Sequence, residues 1–568
     1  MGGRFLSHFA ATAMTLAAIG GASAQSSVIL TSQNADPPAA ETSPAPAAAP
    51  TAPAAAPEIK PATGADLLQA PIATNLQGND AAIAEKLREM IATKLNRVIE
   101  RRQDRAGVEA FYRDRGFAPL WASDGKPSDR AKAATAFLRG VGADGLEPSD
   151  YPLPGFAGEV EKLAQDELAL TQSVLTFARH ARTGRVSFSR VSGAILYELE
   201  FPEAADVLAN VTNAGDISDA LGAYHPPHAA YKALKAKLAE AREQKKAPLV
   251  DTLIANMERW RWVPRDLGKS HVVVNIPDYT LAVSDQGKAR WSTRIVVGKV
   301  GEQATPLLSE TMKFITVNPT WNVPPSIIRN EYLPALQRDP NALARVGLKI
   351  THRKDGSIHV YQPPGEKNAL GRIRFNFPNK FLVYQHDTPQ KHLFAKEQRA
   401  FSHGCMRVQN PEQYAEVLLS ISQPSERYSA ERIKKMYGDN ERTINFKTPI
   451  PVHITYQTAF VDEAGRLQTR PDIYGHDRKM TEMMRNGRGG ADTPIARNYN
   501  SSSKSVAARS PTRSDDPRPS RRLDNNFDRD NERMVRRADP FAFPPPSYIA
   551  PTPYFGSSAS RRGYGAPY

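Results

Sequence analysis

An α+β fold is predicted for this chain: a helical unit, then a mostly-β unit, with a disordered segment on either side. Three observations predict it. Apolar residues recur at three- and four-residue spacing between about residues 80 and 260, the period changes to two from His271 onward, and both ends are poor in the aliphatic residues a core requires.

In chain order, the first element is a leader. Arg4 precedes an apolar stretch from about Phe5 to Ile19, and Ala22-Ser23-Ala24 then offers a small-residue cleavage site. This reads as a signal peptide over 1–24, cleaved after Ala24. A membrane anchor needs about 20 apolar residues, and this stretch is short and contains Ser7, His8, Thr12 and Thr15. No other stretch is long and apolar enough to span a bilayer, so the mature chain is expected outside the cytoplasm with no transmembrane span. Residues 25–79 form a Pro/Ala-rich linker that cannot bury a core.

The helical unit is assigned to 80–265. Ile83, Leu87, Met90, Ile91, Leu95, Val98 and Ile99 mark one amphipathic helix over 81–104. Helical patterning returns at 107–121, 131–142, 170–182 and 231–244. The β unit is assigned to 266–460. HVVVNIPDYTLAVSDQGKARWSTRIVVGK reads as strands about a turn at Asp285-Gln286-Gly287, and MKFITVNP, SIHVY, RIRFNF, KFLVYQH and PVHITYQ read as further strands. Helices are expected near 326–336 and 411–421. From 470 to 568 the chain turns to Arg, Ser, Asn, Asp and Pro, and reads as a disordered basic tail with a Pro-aromatic stretch at 541–555.

A length of 568 residues allows two or three domains. The net charge of +14 would suggest nucleic acid as a partner in a cytosolic protein. Export removes that partner and favours anionic envelope polymers instead. Cys405 is the one cysteine of the chain, so no disulfide forms within it and the thiol is either an inert small core residue or a reactive group. Its neighbours favour reactivity. It follows Ser402-His403-Gly404, and His386 ends the strand-like run FLVYQH. If the two segments run side by side, both imidazoles reach the sulfur, and an attacking thiol needs a neighbouring cation or aligned donors to become a thiolate. Gly404 lets the backbone approach a substrate, so that the N–H groups around Gly404 and Cys405 can meet a developing oxyanion. Metal-ligand spacings such as HxH and CxxC are absent, as are GxGxxG and phosphate-loop patterns, so neither metal nor cofactor is expected.

SHGCMRV with HDTP upstream resembles the motif of the L,D-transpeptidases: a histidine, about 15 residues, then Ser/Thr-His-Gly-Cys with Arg or Asn two residues beyond. The resemblance extends to AFYRDRGFAPLW (110–121), NMERWRWVP (256–264), VNPTWNVPPSI (317–327) and NALGRIRFNFPN (368–379). It implies the large periplasmic subgroup, in which a helical scaffold domain precedes the catalytic β domain. It also implies peptidoglycan stem peptides as substrate, with Cys405 attacking the diaminopimelate carbonyl and expelling D-Ala. His386 is then the base and His403 orients the site. Tyr384 and the backbone at Gly404 serve the oxyanion, and Arg407 and Trp321 line the substrate cleft. In an extended segment His403 and Cys405 would stand about 6 to 7 Å apart, long for an N to S hydrogen bond, whereas His386 is not bound by that spacing.

The resemblance has gaps. The small three-helix peptidoglycan-binding module of many subgroup members, with its DGxxGxxT-like signature, is absent, and the path from Tyr231 to Trp260 is too short to hold it. The long tail has no counterpart in the family pattern. The acceptor stays open among a diaminopimelate amine giving a 3→3 cross-link, a D-amino acid, the N-terminus of an envelope protein, and water. Water would make the protein an L,D-carboxypeptidase. A general cysteine hydrolase and a non-catalytic wall scaffold are the other readings; against the former, the papain-like CGSCW signature is absent.

Overall fold

The computed structural model describes residues 63–486, except 325, 326, 353–355 and 357 and the side chain of residue 330. The leader, the Pro/Ala-rich stretch up to residue 62 and the tail beyond residue 486 lie outside the described residues. The chain has the expected α+β order, with helices first and a mostly-β region after them.

The helical region departs from the sequence reading in its breaks. The expected helix over 81–104 is two, Gly78–Val98 and Arg102–Asp114. Val98-Ile99 is a β-branched pair with weak helix propensity. Ile99 turns extended and buries its side chain fully, while Arg105 caps the freed carbonyls of Ile99 (2.9 Å) and Glu100 (3.0 Å). The second helix ends at Asp114 rather than continuing to 121. Gly116 has φ +56°, and a Cβ there would lie 2.5 Å from the Ala73 nitrogen, so the turn requires glycine. The segment that follows is held by Glu167 in the long buried helix Val160–Thr183. Its carboxylate accepts from the N–H groups of Leu120 (2.5 Å), Trp121 (2.8 Å) and Ala122 (2.9 Å) and from the Tyr112 hydroxyl (3.0 Å).

The main sheet uses ten strands: β1 (Ile195–Leu196), β2 (Ser270–Asn275), β3 (Thr280–Asp285), β4 (Lys288–Gly298), β5 (Leu307–Val317), β6 (Ile373–Asn376), β7 (Gln385–His386), β8 (Ala400–Ser402), β9 (Met406–Val408) and β10 (Arg442–Thr455). Pairing runs β6-β7-β9-β4-β3-β2-β10-β5, and β5 pairs back onto β6, so the path closes on itself. Period-two alternation fills the interior: Val272, Val274, Leu281, Val283, Ile295, Val297, Ile315, Ile373 and Phe375 are fully buried in one core. KFLVYQH is strand only at Gln385–His386, because Leu382 takes φ +56° and Asn379 ties the loop through bonds to the Phe377 and Val383 carbonyls (both 2.7 Å).

Between β5 and β6 lies an insert with its own three-stranded sheet, in the order Trp321–Asn322, Ile358–Gln362, Lys349–His352. Its separate core includes Trp321, Ile327, Leu348, Val360 and Leu370.

Three expected limits move. The linker expected over 25–79 already contains helix Gly64–Gln69, closed at its start by a Thr63–Asp66 capping box. The β unit draws on residues before 266, since β1 pairs with β5 and Val186, Phe188, Ile195 and Tyr197 lie in the β core. The tail expected from 470 begins with helix His476–Arg485, whose Met480 is fully buried in that same core. Few of that helix's residues are apolar, so composition alone read it as solvated. No helix among the described residues is long and apolar enough to cross a membrane.

Candidate active site

Strand pairing brings the motif residues together. β7 and β9 run parallel, with Gln385 opposite Met406 and His386 opposite Arg407; β6 lies antiparallel on the other side of β7, with Arg374 opposite His386. Alternation sorts the faces. Ile373, Phe375, Met406 and Val408 point into the core, and Gln385 accepts from the buried Tyr414 hydroxyl at 2.7 Å. Arg374, His386 and Arg407 therefore stand in a row on the opposite face.

Residues 403–405 form a bend between β8 and β9, not the extended run expected from the sequence. Gly404 has φ +109°, a conformation reserved for glycine. The bend is fixed by short bonds: Ser402 Oγ donates to the Cys405 carbonyl (2.5 Å) and Thr305 Oγ1 to the Gly404 carbonyl (2.8 Å). The Gly404 N–H donates to Ser402 Oγ at 3.3 Å. In this state it is turned away from the oxyanion role assigned to it. His403 is buried in the bend, and the shared-face geometry assumed for it with Cys405 does not apply.

Cys405 is 7% exposed. Its sulfur receives a main-chain hydrogen bond and the phenol hydroxyl from Tyr384, and the Tyr384 oxygen in turn accepts from the Trp321 side chain. The three residues form a donor relay, Trp321 to Tyr384 to the thiol. Tyr384 packs against both the main core and the insert core, and its ring meets His386 edge-on at 5.7 Å.

Electrostatics favour a resting thiol over a thiolate. Burial pushes the thiol up to about 11, outweighing the Tyr384 hydrogen bonds and the nearby Arg407 and Arg374 charges that favour the thiolate. Burial, reinforced by Arg407, lowers His386 to about 3. Both groups are neutral at pH 7. His386 Nδ1 donates to the Asp387 carbonyl at 2.5 Å. His386 makes no hydrogen bond to the thiol among the described residues, so its head-on approach expected from the sequence is not this resting arrangement. Such bonds are often loose before substrate binds.

The sequence reading passed over several supporting residues. Arg374 was readable from the alternation in GRIRFNF, which sets a cation on the outer face of a strand. Asp387 clamps the β7 end: its carboxylate accepts from the N–H groups of Arg372 (2.8 Å) and Thr388 (2.6 Å) and pairs with Lys391. A Cβ on Gly371 would lie 2.3 Å from that carboxylate. Gln390 accepts from Arg407 at 2.7 Å, burial holding that guanidinium near 10. These contacts cross loops, which no local pattern encodes. No group of three or more His, Cys, Asp or Glu able to hold a metal occurs among the described residues.

Residues 269–453 match the family model for the L,D-transpeptidase catalytic domain, and residues 106–238 match the Scaffold domain. A curated Haemophilus influenzae protein named "Putative L,D-transpeptidase" is 30% identical over 254 residues, 42% of this chain and 50% of that protein. The chain thus spans about half the length of the curated relative it matches. Similar solved structures include an L,D-transpeptidase from Mycobacterium smegmatis, at 15% identity, covering 33% of this chain and 58% of that one, TM-score 0.18. L,D-transpeptidase 3 from Mycobacterium tuberculosis follows at 13% identity, covering 33% and 61%, TM-score 0.17.

Proposed function

We propose that this chain, which carries the L,D-transpeptidase catalytic domain behind a Scaffold domain, transfers acyl groups between peptidoglycan stem peptides with Cys405 as nucleophile. The observation that carries the reading is the placement of the chain's one thiol. It lies at the end of the Trp321–Tyr384 donor relay, beside the strand that bears His386.

On this reading the thiol gives its proton to His386 as its sulfur bonds to the diaminopimelate carbonyl carbon of a donor tetrapeptide. Nδ1 is already committed to the Asp387 carbonyl, which leaves Nε2 to take the proton. Tyr384 and the Cys405 N–H face the developing oxyanion; Gly404 joins them if its N–H leaves Ser402. The C–N bond to D-Ala then breaks, and the departing nitrogen takes the proton from His386. The amine of a second peptide attacks the thioester, gives a proton to the imidazole, and releases the thiol with a 3→3 link formed. His403 orients the bend, and Arg407 and Trp321 line the cleft. Burial of Cys405 supports transfer over hydrolysis, because water is kept from the thioester. Export through the cleaved leader would place the reaction in the periplasm, where envelope proteins and anionic polymers are the further partners.

Incubation with disaccharide-tetrapeptide, followed by mass analysis, tests the reading. Free D-Ala, a cross-linked dimer and a thioester on Cys405 are expected, all absent in Cys405→Ala. Tripeptide without dimer would mark a carboxypeptidase, and D-Ala release by Cys405→Ala would end the reading altogether.

A further inference from the structure

The row Arg374, His386, Arg407 places an arginine on the strand to each side of His386, the neighbouring backbones about 4.8 Å apart. The two arginines are not equivalent. Arg407 is buried and held by Gln390. The Arg374 guanidinium makes no hydrogen bond or ion pair among the described residues. Its Nε is buried without a partner, and its contact is with the face of the Tyr384 ring, 5.5 Å from the centroid. Asp387, the carboxylate that follows His386 in the chain, is already taken by Lys391 and two main-chain N–H groups. Leaving a part-buried guanidinium without an anion is unfavourable. It is the arrangement expected of a site whose counter-ion arrives with the substrate.

We propose, building on the transpeptidase reading, that Arg374 is a substrate-binding residue that takes the terminal carboxylate of the amino acid expelled from the donor peptide. Its planar fork matches a carboxylate with two parallel hydrogen bonds, which a lysine cannot reproduce. The geometry selects this carboxylate among those of the stem peptide. Arg374 lies on the ring whose hydroxyl touches the Cys405 sulfur, so its ligand sits close to the reacting carbonyl. In the expelled residue only one carbon separates the scissile nitrogen from the carboxyl group. The acidic groups elsewhere on the stem are many bonds further away. Stacking on Tyr384 holds the guanidinium in place before substrate arrives and couples carboxylate binding to the donor that faces the oxyanion.

Two measurements on the full chain and on Arg374→Gln and Arg374→Lys test this. The first compares kcat/KM for a tetrapeptide donor and for the same donor with a C-terminal carboxamide. The wild type is expected to favour the acid by about tenfold or more, mainly through KM. Arg374→Gln should bring the acid down to the amide's level, and Arg374→Lys should keep part of the preference. An equal loss for both donors, or a preference that survives the glutamine, overturns the assignment and makes Arg374 a support for the Tyr384 ring. The second needs no turnover. Cys405 is the chain's one thiol, so alkylation by anionic iodoacetate and by neutral iodoacetamide reports this site alone. Their rate ratio should fall about tenfold in Arg374→Gln. D-Ala release by the wild type with an unmoved ratio leaves the transpeptidase reading standing and removes the Arg374 site. No D-Ala release by the wild type removes the reading and the assigned ligand together.

Discussion

At the scale of the residue, the proposed chemistry turns on a neutral pair. A cysteine that attacks must become a thiolate, yet burial holds Cys405 at about 11 and His386 at about 3. On the proposed mechanism the proton therefore moves during attack rather than before it. Alkylation by iodoacetamide should rise through pH 8 to 10 without levelling near 7, and a plateau reached by pH 7 would reveal a preformed thiolate–imidazolium pair instead. Stability should carry the same signature. An unfolded thiol loses its proton near about 8.5 and the folded one near 11, so the folded state binds more protons in that window and stability falls as pH rises through it. An unfolded histidine gains its proton below about 6.5, whereas folded His386 resists until about 3, so stability also falls on the acid side. Cys405→Ala should flatten the alkaline limb of a denaturation series and His386→Ala the acid limb. These two residues were legible as candidates because a unique thiol and a nearby histidine stand out in any sequence. Their charge states were not, since burial is set by the insert and by strands distant in the chain.

At the scale of the element, the sequence read period well and ends poorly. Strands β2 to β5 and helix Pro411–Ser422 follow from alternation and amphipathic spacing. The short β7 and the closing helix do not. Half the residues of helix His476–Arg485 are charged, yet it reaches the site through neighbours. Asp477 pairs with the buried Arg259 at 2.6 Å, Lys479 donates to the Val191 carbonyl at 2.8 Å, and Met480 fills the core. Just before it, the Tyr474 hydroxyl donates to the Gly298 carbonyl (2.7 Å) and accepts from the Thr305 N–H (3.2 Å), and Thr305 holds Gly404. Losing Met480 costs about 1.5–3 kcal/mol of burial, and stranding a buried charge about 3–5 kcal/mol, against a typical domain stability of 5–15 kcal/mol. A chain ending at Asn486 keeps every one of these contacts and should match the full chain in thermal midpoint and D-Ala release. A chain ending at Asp472 should lose several degrees and most turnover. Equal behaviour of the two truncations would mean that the helix is dispensable.

At the scale of the whole molecule, the helical region keeps a core of its own, yet part of it is built into the β core rather than meeting it at a linker. The change of period near residue 266 marks where strands begin, but a sheet also needs its edges and faces covered, and pattern does not say which segment covers them. Here residues from the helical half do so. Val186, Phe188, Val191, Ile195 and Tyr197 lie in the β core, β1 pairs in parallel with β5, and the Tyr197 hydroxyl donates to the Ile454 carbonyl at 2.7 Å. The joint is polar as well as apolar. Arg261 and Glu258 form an ion pair at 2.6 Å with both side chains fully buried. Arg261 also donates to the Asp144 carbonyl (2.6 Å), and Glu258 accepts from the Val186 N–H (2.7 Å). A fragment starting at residue 266 would expose the β5 edge that β1 covers, together with the apolar surface under residues 186–197, and unpaired strand edges promote aggregation. We therefore expect residues 266–486 to be insoluble or to melt well below residues 63–486, and the longer fragment to unfold in one transition, because its halves share buried contacts. Calorimetry on the two fragments decides it. A soluble 266–486 fragment that melts with the longer one and still forms the thioester would mean that the helical half adds neither stability nor shape to the site, and that the shared core described here is only an abutment.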